Sequence, residues 1–244
     1  MPIEVVLFLC IGILVVAFLY SSVGHAGASG YIAVMTLFGL TSSVIKPSAL
    51  VLNILVACLA SWQFWKAGYF SWSLFWPFAI SSVPFAFLGG FLNLPTQVFK
   101  IVIGIVLLYS AARFLIQPRA DEEPHMPKKP IAISVGAGLG LLSGLTGVGG
   151  GIFLTPLLIF MRWARTKNAS AVSALFILFN SISGLLGNVV GTRQLPLLAL
   201  PLAIAAIAGG SVGSYFGSRR FSPIIIKRLL GIVLIIAGLK MFFS

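Results

Sequence analysis

Three stretches of more than thirty residues carry no formal charge in this chain of 244 residues: Val5–Ile45, Ala67–Phe99 and Pro130–Met161. An apolar run of about twenty residues is long enough for a helix to cross a bilayer. Apolar residues make up 59% of the chain and charged residues 8%, and the mean hydropathy is +1.10. A soluble domain of this size lacks the polar surface to cover so much apolar side chain. We therefore predict an all-α, polytopic membrane protein, which excludes soluble enzymes, nucleic-acid binders and secreted disulfide scaffolds.

The net charge of +12 does not indicate a nucleic-acid partner, because the 16 Lys and Arg residues lie mainly at the ends of apolar runs. There they set topology and contact membrane lipid. Of the four acidic residues, Glu4 lies at the very start of the first apolar run and the run 121–123 lies between runs, so none lies in the interior of an apolar run. Because a buried cation needs a counter-charge, this distribution favours a neutral or anionic small-molecule substrate. We expect no cofactor and no metal site, since Cys10 and Cys58 lie singly in apolar helices.

The apolar runs fall into two halves, residues 1–116 and 131–244, joined by a proline-rich, charged linker at 117–130 that we predict to be cytoplasmic. Each half has a helix, a glycine-rich break, a shorter apolar piece and three longer helices. The breaks, basic residues and double glycines recur in the same order, which predicts an internal repeat. The predicted apolar runs are Ile3–Ser21, Gly30–Val44, Pro47–Trp65, Trp72–Phe91, Thr96–Ile116, Ile131–Thr146, Gly151–Arg162, Asn168–Val190, Pro196–Phe216 and Pro223–Phe243.

The basic residues also indicate how each broken segment lies in the membrane. If both segments enter and return to the same side, 12 of the 16 Lys and Arg residues share one side. The positive-inside rule favours this arrangement over single crossings, with both termini outside the cytoplasm. Three crossings per half then invert the second half relative to the first, as in many secondary transporters of inner membranes. We predict two inverted repeats with re-entrant-like hairpins, and leave open eight or ten helical segments and a homodimer.

The predicted substrate site is formed by the first break, Gly24–Gly30, and the second break, Gly147–Gly151. Runs so rich in glycine do not readily continue a helix, and backbone freed inside a membrane must line a cavity or pack against protein. A helix that begins after such a break presents unpaired N–H groups and a positive dipole end, which together bind anions. The alternative is that these glycines are close-packing surfaces between helices.

Candidate ligands for an anion come from both breaks and from the helices that follow them. His25 is the titratable side chain of the breaks and can gain a charge or carry a proton near neutral pH. We align it with Thr146 of the second half. The alternatives are a neutral His bonded to another helix, hydroxyls bonded to their own helix, and interhelical Asn hydrogen bonds. Ser21, Ser143 and Thr155 also lie near the breaks. The selected candidates are Ser22, His25, Gly27, Ser29, Gly30, Asn53, Thr146, Gly149, Gly150, Gly151 and Asn180.

The stretch Leu145–Leu158 resembles the glycine-rich signature of the sulfite exporter TauE/SafE family of membrane transporters. The helix opening Lys167–Ser173 and the stretch Ala208–Gly213 are also similar to that family, as is the arrangement of two related halves. The first half departs from the pattern, because Gly24–Gly30 lacks the triple glycine. The resemblance covers essentially the whole chain and implies transport of small sulfur-containing anions such as sulfite or sulfoacetate, or of other carboxylates or oxyanions.

These observations predict a secondary transporter of a small anion that works by alternating access, and not an enzyme. An anion channel is one alternative, since it would use the same broken helices without alternating access. A membrane enzyme would need paired catalytic groups, and the apolar segments offer only His25 with a serine. A structural or accessory subunit is the remaining alternative.

Overall fold

The computed structural model describes residues 3–92, 107–109, 111–112, 115–116, 121, 123–193 and 198–243. The run predicted at Thr96–Ile116 and the start of the predicted linker therefore lie largely outside the described residues. Within the described ranges the secondary structure is helical, with no strand. The helices are α1 Ile3–Ser22, α2 Ala28–Leu37, α3 Ser42–Lys66, α4 Trp72–Phe91, α5 Lys129–Thr146, α6 Gly151–Phe160, α7 Thr166–Thr192, α8 Ala199–Tyr215 and α9 Pro223–Phe243, with a π-helical segment at Phe216–Arg220 between α8 and α9.

Six helices of the described chain are long and apolar enough to cross a membrane: α1, α3, α4, α5, α7, and α8 together with the π-helical segment. By contrast, α2 and α6 have ten residues each. Helices of that length span about 15 Å, half the hydrocarbon thickness of a bilayer. The prediction of an all-helical, multi-pass membrane protein is confirmed. Each short helix begins within its predicted break, at Ala28 and at Gly151, so the breaks end earlier than predicted.

The backbones of the two breaks share a pair of left-handed glycines. Gly24 and Gly27 have φ angles of 78° and 105°, and Gly147 and Gly150 have 73° and 77°. Only glycine adopts this left-handed conformation without a steric penalty, so these positions explain why both helices are interrupted by glycine. In each break these two glycines are three residues apart, and a ten-residue helix starts immediately after the later one. The second break has one more left-handed glycine, Gly149, with a φ of 80°.

The helices of the two halves pack against each other in a reciprocal pattern. α1 packs on α8 as α5 packs on α4, and α3 contacts α8 as α7 contacts α4, while α3 and α7 contact each other. Exchanging the halves maps this set of contacts onto itself, as expected for two related units around a two-fold axis. Inversion of the halves across the membrane remains a prediction, as do the boundaries at 1–116, 117–130 and 131–244.

Glycines four residues apart bring two of these helix pairs into close contact. A Cβ at any of them would overlap a carbonyl oxygen of the facing helix, so the packing requires glycine. These glycines therefore serve as close-packing surfaces between helices. The pairs are Gly209, Gly213 and Gly217 against Leu14, Phe18 and Ser22 of α1, and Gly136, Gly140 and Gly144 of α5 against Phe78, Ser82 and Ala86 of α4.

The start of α5 and the end of α6 lie at one end of the bundle, which we call the linker end. The His125 backbone N–H, just before α5, donates to the Arg162 carbonyl just after α6, at 2.9 Å. The Asp121 carboxylate accepts from the Thr166 backbone N–H at 3.0 Å. The second broken segment therefore starts and ends at the same end of the bundle. Which membrane face the linker end occupies stays a prediction.

Asp121 joins the linker to two helices at this end. Its carboxylate accepts from the Thr166 hydroxyl at 2.6 Å and forms an ion pair with Lys227 Nζ at 2.7 Å. Burial raises the pKa of Asp121, but the hydrogen bonds from Lys227 and Thr166 outweigh it, so the pKa lies below the ordinary value for Asp. The linker is thereby held to the starts of α7 and α9.

Candidate functional site

The structure brings the two breaks together, as the sequence predicts. His25 Nε2 of the first break lies 2.8 Å from Thr155 Oγ1 on α6. Asn53 of α3 reaches the second break, where its Nδ2 donates to the Val148 carbonyl at 3.4 Å. Side chains of the first half therefore contact both the second break and the helix that follows it.

A small cavity of ≈ 10 Å³ lies where the breaks meet. A cavity of roughly this volume admits one water molecule. A sulfur oxyanion has at least four heavy atoms and does not fit, so the conformation is an occluded one. The lining residues come from α1, the first break, the second break, α6 and α7, and are Tyr20, His25, Ala26, Gly27, Ala28, Ser29, Val148, Ile152 and Ile177.

His25 supplies the imidazole of this cavity and is 2% exposed. Its Nδ1 atom is buried and has no hydrogen-bond partner within the described residues. When Nδ1 carries the proton, the Thr155 hydroxyl donates to Nε2 and Nδ1–H is left as a donor. The imidazole can therefore offer one hydrogen bond to an anion while Thr155 fixes its orientation.

Asn53 holds the two breaks in register. Its Oδ1 accepts from the Ala28 backbone N–H at 2.9 Å, which caps the start of α2 from another helix. Its Nδ2 donates to the Val148 carbonyl and, at 3.3 Å, to Ser181 Oγ on α7. Because both ends of the amide have partners, Asn53 positions the breaks in this conformation and offers no free donor.

Tyr20 belongs to the cavity, although it is not among the residues predicted from the sequence. Ser29 Oγ donates to the Tyr20 hydroxyl at 2.9 Å, and that hydroxyl lies 3.5 Å from the Val233 carbonyl of α9. The available signal was a polar tyrosine in the last turn of α1, directly before the first break. Thr155, which orients His25, had the weaker signal of a hydroxyl one turn into α6.

Three predicted side-chain donors have partners away from the cavity. Ser22 Oγ donates to the Leu19 carbonyl and Thr146 Oγ1 to the Leu142 carbonyl, each at 2.7 Å within its own helix. Asn180 Nδ2 donates to the Phe176 carbonyl at 2.8 Å and to Ser82 Oγ of α4 at 3.2 Å. In this conformation Ser22 and Thr146 are bonded to their own helices, and Asn180 is bonded both to its own helix and to α4, as in the alternative interpretations given for these residues.

The glycines of the second break are enclosed by neighbouring side chains. A Cβ on Gly149 would lie 2.7 Å from Asn53 Nδ2, and one on Gly150 would lie 2.9 Å from Phe176 Cε1. A Cβ on Gly151 would overlap Ile177 of α7. The cavity is lined by the neighbours Val148 and Ile152 rather than by these three glycines. In the first half, Gly27 lines the cavity, whereas Gly30 packs against Val16 of α1.

Comparison with known proteins identifies the family. A family model described as sulfite exporter TauE/SafE matches residues 8–241. The chain belongs to the TauE/SafE family. It is similar to the probable membrane transporter protein y4hK of Sinorhizobium fredii, at 40% identity over 238 residues and 96% of both chains. It is also similar to the probable membrane transporter protein YjnA of Bacillus subtilis, at 24% identity over 236 residues, which are 89% of this chain and 92% of the relative. No solved structure gives a significant match.

The protein is therefore a membrane transporter of the TauE/SafE family. The family-like stretch Leu145–Leu158 forms the turn between α5 and α6 and most of α6. The first break departs from that pattern, and the departure places His25 and Ser29 on the cavity wall. In this TauE/SafE protein the second break supplies the enclosed backbone turn and the first supplies the polar groups.

Proposed function

We propose that this protein is a secondary transporter that moves a small anion, sulfite or an organosulfonate such as sulfoacetate, across the inner membrane by alternating access. The observation that carries the proposal is His25, whose buried Nδ1 has no partner within the described residues, on the wall of a cavity at the start of α2. An anion in an enlarged form of this cavity would accept from Nδ1–H and from the first-turn backbone of α2.

The electrostatics of the cavity support an anion over a cation. The start of α2 carries roughly half a positive elementary charge, and its first-turn N–H groups have no partner inside the helix. Asn53 takes the N–H of Ala28, so the next first-turn N–H group on the cavity wall, that of Ser29, is the one the cavity can use. Not one of the lining residues is acidic. Other small oxyanions and carboxylates would satisfy the same donors.

The occluded cavity supports a carrier rather than an open channel. A cavity of ≈ 10 Å³ admits no anion, so the helices around the breaks must separate before substrate can bind. The reciprocal packing of the halves offers two related ways to separate them, one for each break. Ser22, Thr146 and Asn180, if they bind substrate as we predict from the sequence, exchange their present partners during that movement.

Binding is tested by the melting temperature of the purified protein against sulfite, sulfoacetate, sulfate, taurine, small carboxylates and chloride. A ligand that binds the native state raises the melting temperature as its concentration exceeds its Kd. We expect a shift with sulfite or sulfoacetate that is lost in His25→Ala and retained in Ile204→Ala, a matched substitution at a side chain 79% exposed on the surface of α8. A shift with a cation or a neutral solute, and with no anion, would overturn the proposal.

Transport is tested in proteoliposomes that contain only this protein. We expect saturable sulfite uptake and counterflow, in which unlabelled internal substrate accelerates accumulation of labelled substrate. Flux that neither saturates nor shows counterflow would favour the channel. Absence of flux from folded protein would leave the accessory-subunit alternative.

A further inference from the structure

One face of α7 leads from the linker end to the cavity. Lys167, Ser170, Ser173 and Ile177 follow one another at intervals of three and four residues, so they lie along the same side of the helix. Ile177 lines the cavity, and Lys167 is the second residue of α7 at the linker end. The distance along the helix between these two residues is about 15 Å. We call these four residues the α7 polar face.

The two serines of this face have hydroxyls without a hydrogen bond. Ser170 and Ser173 are 0% exposed, and neither Oγ atom has a partner within the described chain. Serines in membrane helices commonly donate to their own helix, as Ser214 of α8 does to the Gly210 carbonyl at 2.7 Å. A buried hydroxyl without a partner is destabilising. The two hydroxyls are therefore free to bind a polar solute or water when the helices separate.

The α7 polar face runs between the two breaks. A Cβ on Gly24 of the first break would lie 2.6 Å from Ser170 Cβ. A Cβ on Gly151, at the start of α6, would lie 3.2 Å from the Ser173 carbonyl oxygen. A movement of either broken segment away from α7 therefore uncovers these serines first.

Lys167 at the linker end has neutral partners. Its Nζ donates to the Ser218 carbonyl at 3.2 Å and to the Tyr69 hydroxyl at 3.5 Å, and lies 5.0 Å from the centre of the Tyr69 ring. Asp121 is hydrogen-bonded to the neighbouring residue Thr166, but it forms its ion pair with Lys227 and not with Lys167. The charge of Lys167 is therefore not cancelled by any acidic side chain that the structure describes there, and it can attract an anion.

We propose that the α7 polar face is the path by which the substrate anion passes between the cavity and the linker end, with Lys167 at its mouth and the Ser170 and Ser173 hydroxyls along it. This inference rests on the anion transport proposed above. Lys167 draws the anion in when it leaves Ser218 and Tyr69, and the serine hydroxyls replace part of the anion's water shell. The contacts of Lys167 with Ser218 and Tyr69 close the path in the occluded conformation.

The test measures how fast cysteines placed on the path react with charged thiol reagents. Cys10 and Cys58 are first replaced by alanine, and the resulting protein must still transport sulfite. Ser170→Cys and Ser173→Cys are then treated with an anionic sulfonatoethyl or a cationic trimethylammonioethyl methanethiosulfonate, in vesicles of each orientation. We expect reaction only when the linker end faces the reagent, about tenfold faster for the anionic reagent. Sulfite should slow it. Lys167→Gln should remove the preference, and Lys167→Arg should keep it.

Two control cysteines separate the path from general loosening of the protein. Ser214→Cys is buried on α8. Ile182→Cys lies on the outer surface of α7, which lipid covers in the membrane, so that aqueous reagents do not reach it. Neither should react, and equal reaction there would overturn the path. If the parent protein transports sulfite but both path cysteines stay unreactive, or react equally fast with both reagents, the path is wrong and the proposed function stands. If the wild type transports none of the anions, both proposals fail.

Discussion

The two breaks share a pair of left-handed glycines and differ in their side chains. Both have left-handed glycines three residues apart and a ten-residue helix that follows. In the first break the residue after the initial glycine is His25, and in the second it is Val148. The first break contributes five of the nine residues of the cavity wall, whereas the glycines of the second are enclosed by Asn53, Phe176 and Ile177.

This difference indicates how a repeated fold acquires one specific site. The repeated part is the turn, which only a left-handed glycine makes without a steric penalty. The unrepeated part is the set of side chains at the cavity. We infer that the second break acts as the rigid wall and the first as the binding surface, and four substitutions test this division.

The largest effect is expected from Gly150→Ala in the second break. A side chain there meets both the left-handed φ of 77° and the Phe176 ring at 2.9 Å. We expect a loss of about 2–4 kcal/mol in the free energy of unfolding, from backbone strain and overpacking together. Gly39→Ala is the matched control, because Gly39 has a φ of 72° with no atom within 4 Å of the added Cβ. It should cost about 1–2 kcal/mol, since only the strain remains. Equal losses in denaturant unfolding would mean that enclosure of the second break contributes nothing.

His25→Val gives the first break the side chain found in the second. A hydrogen bond to a charged group contributes about 1.5–3 kcal/mol, so sulfite uptake at low concentration should fall about 10- to 100-fold. The melting temperature without substrate should change little. Val148→Ala, on the opposite wall, should lower uptake less than about threefold, since no hydrogen bond is lost. Similar losses in the two variants would contradict the division between wall and binding surface.

Asn53 and Asn180 are both buried amides, but only Asn53 is hydrogen-bonded to the breaks. Asn53→Ala leaves the Ala28 N–H and the Val148 carbonyl without this partner, so both breaks lose their alignment. We expect the half-saturating sulfite concentration to rise about tenfold and the free energy of unfolding to fall by about 1–3 kcal/mol. Asn180→Ala removes a link between α7 and α4, and should lower stability without changing half-saturation. A raised half-saturating sulfite concentration in both variants would place Asn180 at the substrate, as predicted from the sequence.

The smallest effect is expected at the linker end, where Asp121→Asn leaves both breaks intact. The pKa of Asp121 is held below its ordinary value, so the carboxylate stabilises the fold at neutral pH. We expect the variant to melt about 2–4 °C lower at pH 7, with unchanged half-saturation. The difference should shrink as the pH falls below about 4 and through the lowered pKa, because the wild-type carboxyl is then protonated. A difference that persists at low pH would assign the effect to something other than this charge.

Helix bounds could be predicted where polar or charged residues end an apolar run. The run Trp72–Phe91 coincides with α4, and α6 begins at Gly151 as predicted. The run Gly30–Val44 was wrong at both ends, because α2 starts at Ala28 and stops at Leu37. The turn that follows is made by Gly39 in a left-handed conformation among apolar residues. Such a turn is invisible in a hydropathy pattern.

The candidate site was predictable in its backbone and less so in its side chains. Our alignment of His25 with Thr146 was wrong, since the left-handed glycines place His25 opposite Val148. The meeting of the breaks follows from the repeat, but the contact of His25 with Thr155 spans 130 residues of sequence. The roles of Tyr20 and Asn53 also depend on tertiary contacts, which periodicity does not contain. Hydropathy identified the scaffold, and packing selected which polar groups reach the cavity.

The reciprocal packing of the halves has a consequence for how the chain is made. α1 lies against α8, and the glycines that let the two approach belong to the later helix. During synthesis α1 therefore enters the bilayer long before its partner exists, with lipid or the insertion machinery covering that face. Insertion of the first helices and completion of the fold are separate stages, and the second waits for nearly the whole chain to be translated. If the ribosome stalls before α8, the inserted helices lack the α8 contacts that hold α1 in place beside the cavity.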